Sequence, residues 1–329
     1  MMVETGHDPI RRVHYLPPVP TVGDIEVNTL AGIRERGGPR EFLPLQRLDF
    51  DLVVHVESGA ASHTVDFTDY RLGPGDVLWV RAGQVHRWGA IEDIAGTVVM
   101  FAPHTVDDDT MQLIRRHLVR PRSHWTAAAL ENSPVPKALL LLAVSAGGSA
   151  PRPSPLRQAA RQHSLAALLL QLALVEPSGS PPPVGPAHEA YGWFRDHIQD
   201  HFHEWHKVGD YADRLGYSSR TLNRLARQYT GLSAKQLIDE RVVLEAKRLL
   251  AHGDGAASEI ALSLGFDDAS NFSSYFRRHT HMTPGTFRTR SRVGHATSPA
   301  EEEEITGRAR RPSAVPTIPD NHGDPFGDS

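Results

Sequence analysis

The most constraining feature of this sequence is a helical unit that occurs twice in its last third. Residues 211–217 (Tyr-Ala-Asp-Arg-Leu-Gly-Tyr) match residues 260–266 (Ile-Ala-Leu-Ser-Leu-Gly-Phe) at an offset of 49 positions. Residues 221–233 match residues 271–283 at an offset of 50 positions, so the one additional residue falls in the turn between the matching segments. This duplication predicts two copies of one supersecondary unit.

Each copy has the signature of two helices joined by a tight turn. The first helix is predicted to end at Gly216 or Gly265, because glycine readily adopts the left-handed conformation that ends a helix. The second helix is predicted to begin after Ser218 in one copy and after Asp267 or Asp268 in the other, since Ser and Asp are good N-cap residues. Helix, turn and helix in this order form a helix-turn-helix unit.

The second helix of each copy is predicted to be apolar on one face and hydrogen-bonding on the other. Leu222 and Leu225 share a face in the first copy, as Phe272 and Phe276 do in the second. The opposite faces carry Arg, Asn and Ser, which hydrogen-bond base edges in the major groove of DNA. A solvated helix face would explain one such pattern, but two copies behind matching turns favour recognition of DNA. The predicted base-reading residues are Arg220, Asn223, Arg224, Ser270, Asn271 and Ser274, and the predicted phosphate contacts are Ser218, Arg227, Arg277 and Arg288.

The segment between the copies is predicted to be a rigid connector helix. Ser233 and Gln236 have the spacing of a capping box, and the helix is expected to run to about His252. Its expected buried positions are Leu237, Leu244, Leu249 and Leu250. Thr283 and Pro284 predict the start of a closing helix. Such a connector would hold both recognition helices on one face of the protein, where they can enter successive major grooves about 34 Å apart.

Charge and cysteine content narrow the function classes. The 329 residues include 35 Lys+Arg and 39 Asp+Glu, which gives a net charge of −4. This average hides segregation, because residues 208–294 carry 13 basic and 9 acidic side chains, whereas residues 295–329 carry 3 and 7. The absence of cysteine excludes disulfides, thiolate nucleophiles and Cys-ligated metal sites. No signal peptide is visible and no apolar stretch reaches the roughly 18 residues of a membrane span, so a soluble cytoplasmic protein without a membrane partner is expected.

The first half of the chain has the pattern of an antiparallel β-structure followed by helices. Short strands separated by Gly- and Pro-containing turns are predicted at 52–57, 63–67, 76–80 and 96–101. Helices are predicted at 110–119, 136–146 and 156–175. The last two have apolar faces, for which packing on the sheet and a dimer contact are equally good explanations. The predicted fold class is a two-domain α+β protein with an N-terminal antiparallel β-barrel followed by helices, and a C-terminal all-α domain with two helix-turn-helix units.

Composition also divides the chain into segments. Residues 176–187 include the run Glu176-Pro-Ser-Gly-Ser-Pro-Pro-Pro-Val-Gly-Pro186. They are predicted to form a semi-rigid linker, because proline lacks the amide donor that helices and central strands require. Residues 1–20 are expected to be a flexible N-terminus, and residues 295–329 a disordered acidic tail with too few large apolar residues to bury. The predicted domains are therefore 21–175 and 188–294.

The second copy carries the pattern Ile260-Ala-x-x-x-Gly265-Phe266, then Phe272-x-x-x-Phe276-Arg-Arg, then Thr283-Pro284-x-x-Phe287-Arg288. With its surroundings over about 188–291, it resembles the DNA-binding domain of AraC/XylS-type transcriptional regulators. That family usually has Tyr at the position of Phe287 and Gly at the position of His281, so a cost in stability or a shifted last helix is expected at His281. It often has a long base-reading side chain at the position of Ser274, which matches Arg224 in the first copy. The first recognition helix is therefore expected to supply more of the specificity.

Residues Tyr70–His86, which contain Gly75, Gly83 and the closing His86, are similar to the second motif of cupin-like sensor domains. Arg81 replaces the usual proline of that motif. The first motif of metal-binding cupins, His-x-His with a downstream Glu, has no match around residues 48–57. No metal or other cofactor is therefore expected. The resemblance implies a domain that binds a small-molecule effector, with His55, Trp79 and His86 as candidate pocket residues.

These features predict a sequence-specific DNA-binding transcription regulator of the AraC type, and not an enzyme. By the resemblance, an effector would gate it, its first half could form a homodimer, and it would contact RNA polymerase at a promoter as an activator; the residues themselves leave activation and repression open. One alternative is a metal-dependent cupin enzyme with an accessory helical DNA-binding domain, which metal content would distinguish. Another is an architectural protein that binds promoter and random duplex alike.

Overall fold

The computed structural model describes residues 11–13, 25–37, 45–89, 94–118, 121–146, 154–175, 185–252 and 255–293. Within these ranges an N-terminal β-domain with attached helices precedes an all-helical domain, which confirms the predicted fold class. The predicted linker up to residue 184, most of residues 1–20 and the whole predicted tail lie outside the described residues. No helix among the described residues is both long and apolar enough to cross a membrane.

The strands of the β-domain form two five-stranded sheets. In chain order they are β1 Arg11–Val13, β2 Ile25–Thr29, β3 Gln46–Leu48, β4 Asp51–Ser58, β5 Ala61–Val65, β6 Thr68–Leu72, β7 Val77–Val80, β8 Val85–Trp88, β9 Ala95–Phe101 and β10 His124–Trp125. One sheet has the order β1-β3-β8-β5-β6 and the other β10-β7-β4-β9-β2. Among the described residues, neighbouring strands pair antiparallel, except β1 and β3, which pair in parallel. Strand β1 therefore extends a sheet edge from within the segment expected to be flexible.

All four predicted strands are present, but one ends earlier than predicted. Strand β5 stops at Val65, and Asp66 and Phe67 form the two-residue turn of a hairpin with β6. The pattern placed Phe67 in the strand because it is apolar and continues the alternation. The sequence did not predict β6, because four of its five residues are exposed or half-buried and only Leu72 is buried.

Two hydrophobic cores lie on opposite sides of the second sheet. Strand alternation directs Leu52 and Val54 between the two sheets, whereas Val53 and Trp79 point to the other face. That face is covered by α2 Asp108–His117, α3 Ala127–Leu130, α4 Val135–Ala146 and α5 Pro155–Leu174, whereas α1 Leu30–Gly37 packs against the core between the sheets. Leucines of α4 and α5 are buried against the sheet, which confirms sheet packing as the explanation for their inner faces.

The C-terminal domain consists of helices joined by short turns. They are α6 Pro186–His201, α7 Val208–Leu215, α8 Ser219–Thr230, α9 Ala234–His252, α10 Ala257–Ser263, α11 Ala269–Thr280 and α12 Pro284–Val293. The predicted connector is α9, and its capping box is present, with Gln236 Oε1 accepting from the Ser233 amide at 2.8 Å and Ser233 Oγ accepting from the Gln236 amide at 3.2 Å.

The buried stripe of α9 differs from the one predicted. Of the four leucines expected to be buried, Leu250 is, whereas Leu237, Leu244 and Leu249 are only half-buried. The fully buried stripe is Ala234, Ile238, Val242, Ala246 and Leu250, which recur at every fourth position. Four of these five residues are small or β-branched, and α9 packs against helices of both units. Ile238 and Val242 belong to the core of the first helix-turn-helix unit, and Ala246 and Leu250 to that of the second.

Candidate nucleic-acid interface

The two predicted turns have the same geometry. Gly216 and Gly265 both have left-handed φ values, 69° and 78°. The amide that follows each glycine donates to the alanine carbonyl of the preceding helix, Tyr217 to Ala212 at 3.0 Å and Phe266 to Ala261 at 2.9 Å. Each second helix therefore leaves its first helix by the same hydrogen-bonded turn, as the repeat predicted.

The recognition helices α8 and α11 are both capped by side chains. Ser218 Oγ accepts from the Thr221 amide at 3.1 Å. In the second copy Asp268, and not Asp267, is the N-cap, since its Oδ1 accepts from the Asn271 amide at 2.7 Å. Asp268 also accepts from the side-chain amide of Asn271 at 2.8 Å. The caps satisfy amides that a helix otherwise leaves without partners.

Each recognition helix buries its apolar face and exposes most of the residues predicted to meet DNA. On α8 the buried residues are Leu222, Leu225 and Ala226, and on α11 they are Phe272, Tyr275 and Phe276. The exposed predicted residues are Ser218, Arg220, Arg224, Arg227, Ser270, Asn271, Ser274 and Arg277. The α8 face is strongly cationic, whereas the first turn of α11 lies beside the exposed Asp267 and Asp268. A polyanion is therefore attracted more strongly to the first face.

Asn223 differs from the other predicted base-reading residues because both its Nδ2 and its Oδ1 bond within the domain, whereas among the described residues Asn271 bonds only through Nδ2. The side chain is half-buried, its Oδ1 accepts from the Ala234 amide at 3.1 Å, and its Nδ2 donates to the Ser219 carbonyl at 2.9 Å. Ala234 is the first residue of α9, so Asn223 fixes the first recognition helix to the connector. Helical periodicity places Asn223 on the outward face of α8. It does not predict the hydrogen bond to Ala234, which lies eleven residues further along the chain.

Arg288 is likewise held by the fold. Its Nη2 donates to the Gly255 carbonyl at 2.6 Å, which ties α12 to the backbone two residues before α10. The side chain is half-buried, unlike the exposed guanidinium groups of Arg227 and Arg277.

His281 adopts the conformation of the glycine that it replaces. Its φ is 59°, and its amide donates to the Arg277 carbonyl at 2.8 Å, as Gly231, with φ of 75°, does to Arg227 at 3.0 Å. Helix α12 begins at Pro284 with Thr283 as its cap, so the turn geometry is kept. The departure from glycine therefore costs conformational strain, of order 1 kcal/mol, and does not displace the last helix.

Comparison with known families agrees with this geometry. A family described as an AraC-like ligand binding domain matches residues 30–180, and a helix-turn-helix domain family matches residues 211–290. Together they account for more than half of the 329 residues. The chain belongs to the AraC family of transcription regulators.

Curated relatives of this AraC-family protein include two proteins named HTH-type transcriptional activator RhaS. The protein from Pectobacterium carotovorum is 27% identical over 254 residues, covering 76% of this chain and 89% of the relative. That from Citrobacter koseri is 26% identical over 260 residues, with the same coverage of 76% and 89%. Among solved structures, an AraC-type DNA-binding regulator from Chromobacterium violaceum is 27% identical, with a TM-score of 0.29, over 32% of this chain and 94% of its own.

The three candidate pocket residues of this AraC-family protein do not converge on one cavity. Trp79 is fully buried in the core beneath the helices, where Nε1 donates to Asp51 at 2.8 Å. His55 is half-buried on β4, between the buried residues Val54 and Val56. His86 is buried and packs against His63 and Trp88, a member of the core between the sheets. Among the described residues, no three His, Asp or Glu side chains lie close enough together to hold a metal ion.

His63 and His86 form a buried imidazole pair between the sheets. His63 Nε2 and His86 Nδ1 are 3.1 Å apart, and the rings stack with centroids at 5.2 Å. Burial lowers the pKa of His86 to about 3 and that of His63 well below its usual value, so both rings are neutral. The remaining ring nitrogens, His63 Nδ1 and His86 Nε2, are buried and have no hydrogen-bond partner among the described residues. The barrel interior therefore offers one further hydrogen-bonding nitrogen on each ring.

The sequence did not predict a direct contact between the two domains. Arg248 of α9 donates to Asp66 of the β5–β6 turn, and Arg47 of β3 donates to Glu245 of α9. The partners are 182 and 198 positions apart in the chain. Local sequence patterns do not reveal contacts between residues so far apart in the chain. The aspartate at position 66 favours a turn there, but it does not indicate what the turn contacts.

Proposed function

We propose that this AraC-family protein activates transcription by reading a two-part DNA site with its two helix-turn-helix units. The supporting observation is that α8 and α11 each bury an apolar face and expose a hydrogen-bonding face behind the same capped turn. Activation is proposed because the relatives from Pectobacterium and Citrobacter are named transcriptional activators. Activation would include contact with RNA polymerase, as in the family.

The proposed roles follow from exposure and existing bonds. Arg220 and Arg224 read bases from the first helix, because Arg forms paired hydrogen bonds with guanine. Ser270, Asn271 and Ser274 read bases from the second helix. Arg227 and Arg277, with Ser218, contact phosphates and set the position of the domain on the duplex. Asn223 and Arg288 act by positioning, since their polar groups are engaged within the domain.

The test of direct base reading is Arg224→Ala. The probe is a duplex selected by the full-length protein from a random pool, and the comparison is an unselected duplex of equal length. We expect the variant to lose about 1–3 kcal/mol of binding free energy on the selected duplex and much less on the other, because only the former offers matching base edges. Fluorescence anisotropy titrations measure both affinities.

The matched control for Arg224→Ala is Arg227→Ala, an equally exposed arginine on the same helix. This variant should weaken both duplexes alike and reduce the salt dependence of binding by about one unit, because it releases about one counterion fewer. If Arg224→Ala leaves the ratio of the two affinities unchanged, Arg224 does not read bases.

We further propose that the outer face of α4 forms a homodimer contact. Leu140 and Val144, one helical turn apart, are 65% and 69% exposed, and Leu141 beside them is 57% exposed. Three adjacent exposed apolar side chains on one helix face are typical of an interaction surface. We expect Leu140→Glu with Val144→Glu to shift the protein to monomer in analytical ultracentrifugation. Leu113→Glu, on the 61% exposed Leu113 of α2, is the control that should remain dimeric. A wild-type protein that is monomeric at all concentrations would contradict this proposal.

An effector in the β-domain would act only through a difference in its affinity for two arrangements of the protein. The buried His63–His86 pair, with one unpartnered nitrogen on each ring, is the group that we propose for hydrogen bonding to it. Isothermal titration with small polar metabolites, compared between wild type and His86→Phe, tests this assignment.

A further inference from the structure

The tip of the β5–β6 hairpin has an unusual turn. Asp66 and Phe67 have φ values of 47° and 66° and lie between the paired residues Val65 and Thr68. Two-residue turns with both φ values positive favour Asn or Asp followed by Gly, because larger side chains are strained there. A phenylalanine at such a position persists only where its contacts offset the strain. Both turn residues contact the helical domain.

Asp66 makes the polar half of this contact. Its carboxylate accepts from Arg248 Nε at 2.8 Å and from Arg248 Nη2 at 2.6 Å. These two hydrogen bonds form a bidentate salt bridge to the connector helix α9. It also accepts from Gln84 Nε2 at 2.7 Å, which holds the turn against its own domain. Arg248 is buried and donates to Glu245 at 3.1 Å, and Glu245 in turn accepts from Arg47 at 2.9 Å. The ion pairs therefore cross the domain boundary twice.

Phe67 makes the apolar half. Its ring packs edge-on against Phe287 of α12 with the centroids 5.6 Å apart, and Phe287 packs edge-on against Phe276 of α11 at the same separation. Phe276 is fully buried and immediately precedes the exposed Arg277 on the recognition helix. Only the ring of Phe287 therefore lies between Phe67 and Phe276 of the recognition helix α11.

The two recognition helices differ in what lies behind them. The cluster behind α11 contains Leu45 and Val85 of the β-domain together with Phe272 and Phe276, and Phe67 packs against it. The clusters behind α8, which contain Leu222 and Leu225, consist of described residues from position 187 onward only. The β-domain therefore contributes apolar residues to the core behind α11 and not to those behind α8; it meets α6 of the first unit through polar contacts, in which Arg195 donates to the Leu118 carbonyl and Arg116 pairs with Asp196.

We propose that Asp66 and Phe67 are positioning residues for the second recognition helix. The hairpin tip completes the core behind α11, so docking of the β-domain sets the orientation in which α11 reads its part of the site. Reading by α8 is independent of this contact. The proposal rests on the proposed DNA-reading function and adds a requirement for the β-domain at one half of the site.

The test uses the full-length chain, with Phe67→Gly as the main variant. Glycine removes the ring and also relieves the turn, so the β-domain keeps its fold. Asp66→Asn keeps the turn, because asparagine tolerates positive φ, but removes the charge that pairs with Arg248. Asp69→Asn makes the same charge change at an exposed site on the same hairpin and is the matched control.

The probes are the duplex selected by the wild-type protein and two derivatives, each with one half of the consensus scrambled. The half read by α8 is identified as the one at which Arg224→Ala no longer discriminates. Scrambling either half should weaken wild-type binding about 10-fold. In Phe67→Gly and Asp66→Asn we expect the penalty at the α11 half to fall below about 3-fold, with the α8 half unchanged, while Asp69→Asn keeps both penalties.

Two outcomes would overturn the positioning role. Either both penalties remain at wild-type size in Phe67→Gly and Asp66→Asn, or both fall together, which would mean a general loss of structure. A selection that yields no consensus at all would refute the proposed function instead, so the two failures are distinguishable.

Discussion

Gly265→Ala is expected to destabilise the protein by about 3 kcal/mol and to abolish binding by the second helix-turn-helix unit. Gly265 has φ of 78°, where any side chain is strained, and a Cβ built on it would lie 2.2 Å from the carbonyl oxygen of His203. This oxygen belongs to the backbone after α6 and cannot move aside as a flexible side chain would. Denaturant unfolding of the full-length protein measures the loss.

The duplication supplies an internal control for this substitution. Gly216 occupies the same place in the first copy with φ of 69°, but among the described residues no atom other than those of Gly216 and its chain neighbours lies within 4 Å of the Cβ that alanine would add. Gly216→Ala should therefore cost only the conformational term, about 1 kcal/mol. Equal losses for the two variants would contradict the close approach of the 202–204 segment to the second turn.

Acidification is expected to destabilise the β-domain through its buried imidazole pair. The folded-state pKa of His86 is about 3, below the value near 6.5 of an unfolded histidine, so below pH 6.5 the unfolded chain takes up a proton that the folded chain excludes. Stability is therefore lost as the pH falls from 6.5 towards 3. Between pH 7 and pH 5 the loss from His86 alone is about 2 kcal/mol, and His63, whose pKa is also lowered, adds a loss of the same sign.

The comparison of variants isolates this contribution from other histidines. Burial also lowers the pKa of His188, His206 and His279, which adds to the pH dependence of the wild type. In His86→Gln the decrease in unfolding free energy between pH 7 and pH 5 should be smaller by about 2 kcal/mol. A His86→Gln protein with the wild-type slope would show that His86 is protonated in the folded state.

The duplicated unit could be predicted from sequence because its determinants are local. Gly216, Gly265, Ser218 and Thr283 act within one turn of the residues they terminate or cap, and all four were placed correctly. The repeat also allowed each copy to support the interpretation of the other. Short-range hydrogen bonding is thus recoverable from residue type and spacing.

The features that the sequence did not predict depend on contacts between distant parts of the chain. The prediction of buried positions on α9 was wrong because it favoured the leucines as the larger apolar residues. In the structure the helix buries smaller residues such as Ala246 and Val242, which fit between closely packed helices. Asn223 and Arg288 point outward by helical periodicity, yet a backbone amide and a backbone carbonyl from other segments bind them. Phe67 has a positive φ, which phenylalanine rarely adopts. Its contact with Phe287 of the helical domain explains why it is found there.

Helix α9 has a consequence for how the duplicated domain unfolds. Ile238 and Val242 form part of one unit's interior, and Ala246 and Leu250 part of the other's, along a single uninterrupted helix. Loss of α9 would expose the cores of both units, so we expect the two units to unfold in one cooperative transition although their sequences repeat. We therefore expect that neither half of the duplicated domain folds without the other.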